Sequence, residues 1–250
     1  MSYLAAVSFT RREFARARPA LLLAAAVTWG IFLLLGRAPL SPVLAVIVPS
    51  VVLLAGYWLS GLLFVRPDLR IEQWLQWVDD RVLKRSGVIT WFHRAPRAVQ
   101  EFFEISYLLV YVAVPAGATT VVLSAHAEYV DWFWTVVMLA EFVCYGMLPW
   151  LQTRPPRTIE SGSAHRSAGI RRLNLGLVNR VSIQVNTLPS GHAAGAFATA
   201  FAVMSIAPAA GGAFLLLALC ISTATVLGRY HYVVDTVLGA LVALAVWLTV

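Results

Sequence analysis

Residues 187–207 read TLPSGHAAGAFATAFAVMSIA, a polar Pro-Ser-Gly-His turn that runs straight into a stretch of small and apolar residues. Ser190 stands where a helix N-cap belongs, and Gly191 and His192 fall in the first turn of the helix that the stretch predicts. The stretch is long and apolar enough to lie in a membrane, with a histidine at its mouth.

Working outward, the whole chain has the same character. Its 250 residues are 60% hydrophobic and 12% charged, with a mean hydropathy of +0.76, too much apolar surface for a soluble globule. The apolar runs are about 17 to 25 residues long, and at ~1.5 Å rise per residue such runs cross a ~30 Å hydrocarbon core as helices. Seven spans are expected, near 19–36, 43–65, 103–125, 130–150, 190–207, 211–229 and 232–250. The fold class is therefore an all-α, polytopic membrane helical bundle. The first apolar run follows Arg11, Arg12, Arg16 and Arg18, and it is read as a retained helix because no small-residue cleavage site follows it. Cys144 and Cys220 lie inside apolar runs and read as small core residues, with no disulfide or metal role.

Between the second and third spans, Ile71, Trp74, Leu75, Val78 and Val82 fall at helical spacing. They predict one amphipathic helix lying in the membrane interface with its tryptophans at headgroup depth. Residues 1–102 thus form two spans plus an interface helix, and residues 103–250 a catalytic bundle core, within one membrane domain overall. A second long connection, 152–188, is polar and carries Arg154, Arg157, Arg166, Arg171, Arg172 and Arg180. Long connections of this kind tend to be functional or disordered. The net charge of +7 falls in the connections without an interleaved aromatic platform, which argues against nucleic acid and for anionic headgroups or a phosphorylated substrate. With seven spans, all 19 Lys and Arg except Arg37 share one face, which the positive-inside rule places in the cytoplasm, with the plasma membrane the expected location.

The same span order brings Pro189-Ser190-Gly191-His192 to the face that carries Gly228-Arg229-Tyr230-His231-Tyr232-Val233-Val234-Asp235. His231 and Asp235 are four apart, so on a helix the carboxylate accepts from one ring nitrogen and leaves the other basic and nucleophilic. Ser190, Gly191 and the free amides of the first turn make a seat for an anion, and His192 is placed to protonate a leaving oxygen. Ionisable residues converging at a membrane edge are costly and usually functional. Other polar residues have two readings each. Glu104, Tyr107 and Tyr111 share a helical face that either lines the cavity or is an interfacial aromatic face. Glu141 reads more readily as a structural hydrogen-bonding group than as a catalytic one. His93, His126 and His165 are given no role. Gly191, Gly195 and Thr199 recur every four residues, a spacing that lets another helix approach closely.

The set Arg154-Pro155, Pro189-Ser190-Gly191-His192 and His231-x-x-x-Asp235 resembles the type 2 phosphatidic acid phosphatase superfamily of lipid phosphatases and haloperoxidases, over about residues 100–250. The resemblance implies a phosphohistidine on His231, His192 as the acid, Asp235 as the orienting group, and Ser190 and Gly191 holding phosphate. It implies no metal or other cofactor. The chain departs from the family pattern twice. Met147 stands where the first motif has lysine, and Ala224-Thr225 where the third has Ser-Arg. Arg229, one helical turn past Thr225, is expected to replace that guanidinium beside Arg154, with Arg157 a further phosphate ligand. The Arg-Pro-Pro-Arg and Arg-Tyr-His-Tyr runs also resemble the branch containing inositol phosphorylceramide synthase. The expected activity is phosphate release from a lipid phosphate. The alternatives are transfer of a phosphoryl-headgroup to an alcohol, and non-catalytic binding of a lipid phosphate as a membrane scaffold.

Overall fold

The computed structural model describes residues 1–35, 41–160 and 169–250 and is built of helices. Arg37, the one cation expected on the opposite face, and His165 and Arg166 lie outside the described residues. Seven apolar helical segments match the seven expected spans. They are α1 (Arg18–Leu35), α2 (Pro42–Gly61), the pair α4 (Arg97–Leu108) and α5 (Val110–Val122), α6 (Val130–Met147), α8 (Gly191–Ile206), α9 (Pro208–Leu227) and α10 (Val233–Thr249). Between them lie the amphipathic helices α3 (Leu69–Asp79) and α7 (Ile170–Val181). By length and composition four stretches, Arg12–Leu34, Pro42–Gly61, Ala127–Met147 and Pro208–Leu227, suffice to cross a membrane. The α4–α5 pair makes a fifth if its 56° bend is one broken span, while α8 and α10 are apolar but shorter.

Helix α8 is the centre of the bundle. Eleven of its residues are buried, most of them Ala or Gly, and it packs against α5, α6, α9 and α10. In a lipid environment, where apolar association gains little, small residues let helix backbones approach and gain dispersion contacts. The small-residue spacing read in the sequence serves this purpose at Gly195, where a side chain would collide with the carboxyl of Glu141 on α6. A second close approach is at Gly239 on α10, where a side chain would collide with the carbonyl of Ser190. That approach, together with the Ser190 N–H donated to the Asp235 carbonyl at 2.8 Å, locks the N-terminus of α10 beside that of α8.

Helix α3 forms where the 3.6-residue pattern places it, capped by Asp68, whose carboxylate accepts from the Arg70 and Ile71 amides at 2.9 and 3.3 Å. Its orientation differs from the simple amphipathic expectation. Leu75 is fully buried with Leu188 and Tyr232, but Glu72 and Asp79 are buried too, while Trp74 and Trp77 are each half exposed. The inward face carries two carboxylates because the loops beneath it carry arginines, and the tryptophans left outside suit headgroup depth.

Candidate active site

The N-terminus of α8 is built as the sequence predicts. Ser190 is the N-cap, its hydroxyl accepting from the Ala193 amide at 3.3 Å, and Thr187 adds a hydroxyl that accepts from the Gly191 amide at 3.2 Å. Opposite, α9 ends at Leu227 and the chain reverses through Arg229, which has φ of 61°, so that the Tyr230 and His231 amides both donate to the Thr225 carbonyl, at 2.8 and 3.1 Å. This turn delivers His231 to the start of α10. There one oxygen of Asp235 accepts from the Tyr232 amide and faces His231 Nδ1, both at 3.1 Å.

The far nitrogen, His231 Nε2, lies 3.2 Å from His192 Nδ1. The hydrogen-bond chain assigns the protons. Asp235 accepts from His231 Nδ1–H, so His231 Nε2 carries the lone pair, and His192 Nδ1–H donates to it. One histidine thus presents a base and the other a proton across a single short gap. Burial pushes the His231 imidazole down to about 3, and the positive charge of Arg157 adds to this, so that it is neutral and nucleophilic at ordinary pH. Tyr230 stacks on Tyr107 with centroids 3.8 Å apart, and Tyr107 stacks in turn on His192 at 5.9 Å, which fixes the His192 imidazole from one side.

Arg157 supplies the positive charge. Its amide donates to the Arg229 carbonyl at 3.0 Å and its guanidinium to the Tyr230 carbonyl at 3.4 Å. It lines a narrow cleft with Thr187, His192 and His231. Burial disfavours its charge, and among the described residues no carboxylate lies within ion-pair range of it. A half-buried guanidinium of this kind, without a carboxylate partner, suits an anion. The cleft shares Tyr57, Ser182 and His192 with a larger, mainly apolar cavity of about 290 Å³ between α2, α5, α6 and the head of α8.

The sequence model of the PAP2 superfamily matches residues 69–249, most of the chain and including α3 as well as the bundle core. The chain belongs to the PAP2 superfamily. This is the superfamily whose motifs the sequence resembles, whose members are phosphatases and phosphotransferases. No curated protein and no solved structure matches it.

Within this PAP2 chain the structure gathers Arg157, His192 and His231 on one cleft, with Asp235 buried behind His231, Ser190 buried as the cap of α8, and Gly191 lining the larger cavity. It does not bring Arg154 and Arg229 to the lining. Arg154 pairs with both oxygens of Glu72, at 3.1 and 2.9 Å. The expected place of Arg229 is the Thr225 face of a continuing helix. The helix ends two residues earlier, and the left-handed turn sends the guanidinium away, to Asp79 at 2.6 Å and Glu160 at 2.9 and 3.1 Å. Both arginines hold the loops, Arg154 to α3 and Arg229 to α3 and residue 160. Asp79 serves doubly, since its other oxygen accepts from the Val233 amide at 3.0 Å at the start of α10. Glu72 and Asp79 escape a reading from sequence because an amphipathic pattern assigns such residues to its wet face. Glu104 and Tyr107 do adjoin the site. Glu104 is buried and accepts from Arg171 at 2.5 Å and from the Tyr230 hydroxyl at 2.9 Å, so it braces the tyrosine stack.

Proposed function

We propose that this PAP2 protein releases phosphate from a lipid phosphate through a phosphohistidine. The supporting observation is the chain Asp235–His231–His192, which ends beside Arg157 and opens at His192 onto the apolar cavity. The phosphate is placed in the cleft, with its equatorial oxygens on Arg157 and the lipid chain in the cavity; the Gly191 and Ala193 amides, expected to seat it, are instead taken by the Thr187 and Ser190 hydroxyls. His231 Nε2 attacks phosphorus, and the bond to the lipid oxygen breaks in line with it. The step requires His192 as imidazolium, whose Nδ1 proton passes to that oxygen and leaves the ring neutral. Water then attacks phosphorus as the phosphorus–nitrogen bond breaks, one of its protons passing to His192, and His231 is regenerated with inorganic phosphate released. For phosphorus to enter the line, the 3.2 Å contact between the histidines parts. Arg154 and Arg229 are assigned to holding the loops, and Arg157 takes the phosphate.

The test is phosphate release from a panel of lipid phosphates by detergent-purified protein in EDTA. Release that persists in EDTA is expected. Its absence across the panel, with lipid phosphates still bound, turns the reading to the non-catalytic binder. Transfer to an added alcohol in preference to water turns it to the phosphotransferase.

The site is proposed to face the cytoplasm, since the basic N-terminus and α3 region lie on its side of the bundle. Single cysteines at Ser86 and Glu128, in a background without Cys144 and Cys220, separate the two faces. With a membrane-impermeant thiol reagent on intact cells, labelling at Glu128 and protection at Ser86 are expected. The reverse pattern places the site outside.

A further inference from the structure

The larger cavity is not uniformly apolar. Leu53, Val114 and Pro115 contribute to its walls, and Leu54 and Trp58, each nearly half exposed on the outer surface of the bundle, open it toward the bilayer. Yet Glu141 and Tyr145, one helical turn apart on α6, also line it, and both are more than nine-tenths buried. The Tyr145 hydroxyl donates to one carboxyl oxygen of Glu141, and among the described residues this is the polar partner of Glu141. A helix that needed only to pack here would carry a leucine, since burying a carboxyl in a lipid-facing protein interior is costly.

Position gives the pair a use. The Tyr145 ring lies against Gly191 and the Glu141 carboxyl against Gly195, one turn further down α8. The carboxyl therefore sits about 4.5 Å beneath the level of His192, at 1.5 Å rise per residue. A phosphate held at His192 and His231 places at this depth the lipid atoms that are about three or four bonds from phosphorus, each bond being roughly 1.5 Å. In a glycerol or sphingoid lipid these are the ester, amide or hydroxyl groups of the backbone. In an isoprenoid phosphate they are plain hydrocarbon.

Resting on the reading of the site as a lipid phosphate phosphatase, we infer that Glu141 and Tyr145 are a specificity pair that hydrogen-bonds the polar backbone of a glycerol- or sphingoid-type lipid phosphate. A hydrocarbon at that position leaves the pair unmatched, and a site built to hydrogen-bond a substrate group rejects analogues that lack it far more strongly than an apolar pocket does.

The experiment compares kcat/KM for a diacylglycerol phosphate and a polyprenyl phosphate of similar length, in one detergent, for the native protein, Glu141→Leu and Tyr145→Phe. The native ratio is expected to favour the diacylglycerol phosphate by about 10-fold or more, and both variants to bring it toward one. If Glu141→Leu does not fold, Tyr145→Phe, which loses only a hydroxyl, decides alone. A native ratio near one, or a ratio unchanged in Tyr145→Phe, overturns the inference. If the native protein releases phosphate from neither lipid, the functional reading fails separately. The discrimination is then read as thermal stabilisation by each lipid. Stronger stabilisation by the diacylglycerol phosphate that Tyr145→Phe abolishes supports the pair, and equal stabilisation overturns it.

Discussion

Alanine at His231 is expected to reduce phosphate release to background, a loss of at least about 10³-fold in kcat/KM, or on the order of 4 kcal/mol of transition-state stabilisation. The size follows from what is removed. His231 Nε2 combines a carboxylate-oriented lone pair with a proton donor 3.2 Å away. Brief reaction with radiolabelled substrate followed by base quench should trap an acid-labile phosphoprotein in the native enzyme and none in His231→Ala. His192→Ala separates the two roles. With an aryl phosphate, whose leaving group needs no proton, it should still label His231 and release a burst of phenol, whereas with a lipid phosphate it should be nearly inactive. Because burial holds the His231 imidazole well below its usual range, near 3, the nucleophile stays neutral as pH falls. Its acid limb in kcat/KM therefore belongs below the ordinary imidazole value of about 6.5. Turnover by His231→Ala, or an acid-stable phosphoprotein, removes the phosphohistidine from the mechanism.

The parts of the site that are legible in the sequence are those whose geometry is local. Ser190 caps α8 because a hydroxyl before an apolar helix does so in any context, and the four-residue spacing of His231 and Asp235 survives because both belong to the start of one helix. The positions of the apolar helices are legible for a similar reason, since a long apolar run has few alternatives, although only four of them, or five with the bent pair, are long enough to cross a membrane. Arg229 is misplaced by such a reading because its side chain depends on where α9 stops. Gly228 marks a place where α9 can stop, but the positive φ falls one residue later on Arg229, where neither Gly nor Asn announces a left-handed turn. Glu72 and Asp79 are illegible because their burial is decided by arginines 82 and 150 residues further along the chain. Helical periodicity identifies an apolar face and leaves open whether the polar one meets water or a guanidinium.

The division of labour among the arginines gives the second large effect. Arg157→Ala is expected to lower kcat/KM by about 10²-fold or more, close to ~3 kcal/mol, while leaving the melting temperature in detergent nearly unchanged. Its guanidinium has no carboxylate to abandon among the described residues, so its removal leaves no charge stranded. Arg157→Lys should recover only part of the loss, because an ammonium keeps the charge without the planar fork that meets two phosphate oxygens. Arg229→Gln should behave in the opposite way. It strands Asp79, whose side chain is 1% exposed, and frees Glu160, so a fall in stability of about 3 to 5 kcal/mol is expected, with activity falling as the His231 turn loosens. Adding Asp79→Asn removes the stranded charge and should restore much of the melting temperature, because the amide oxygen of the new side chain still accepts from the Val233 amide. Differential scanning fluorimetry beside initial rates for the four variants reads both axes. Full activity in Arg157→Ala, or an Arg229→Gln protein of native stability that has lost only its rate, returns the phosphate to Arg229 and makes Asp79 and Glu160 its resting partners.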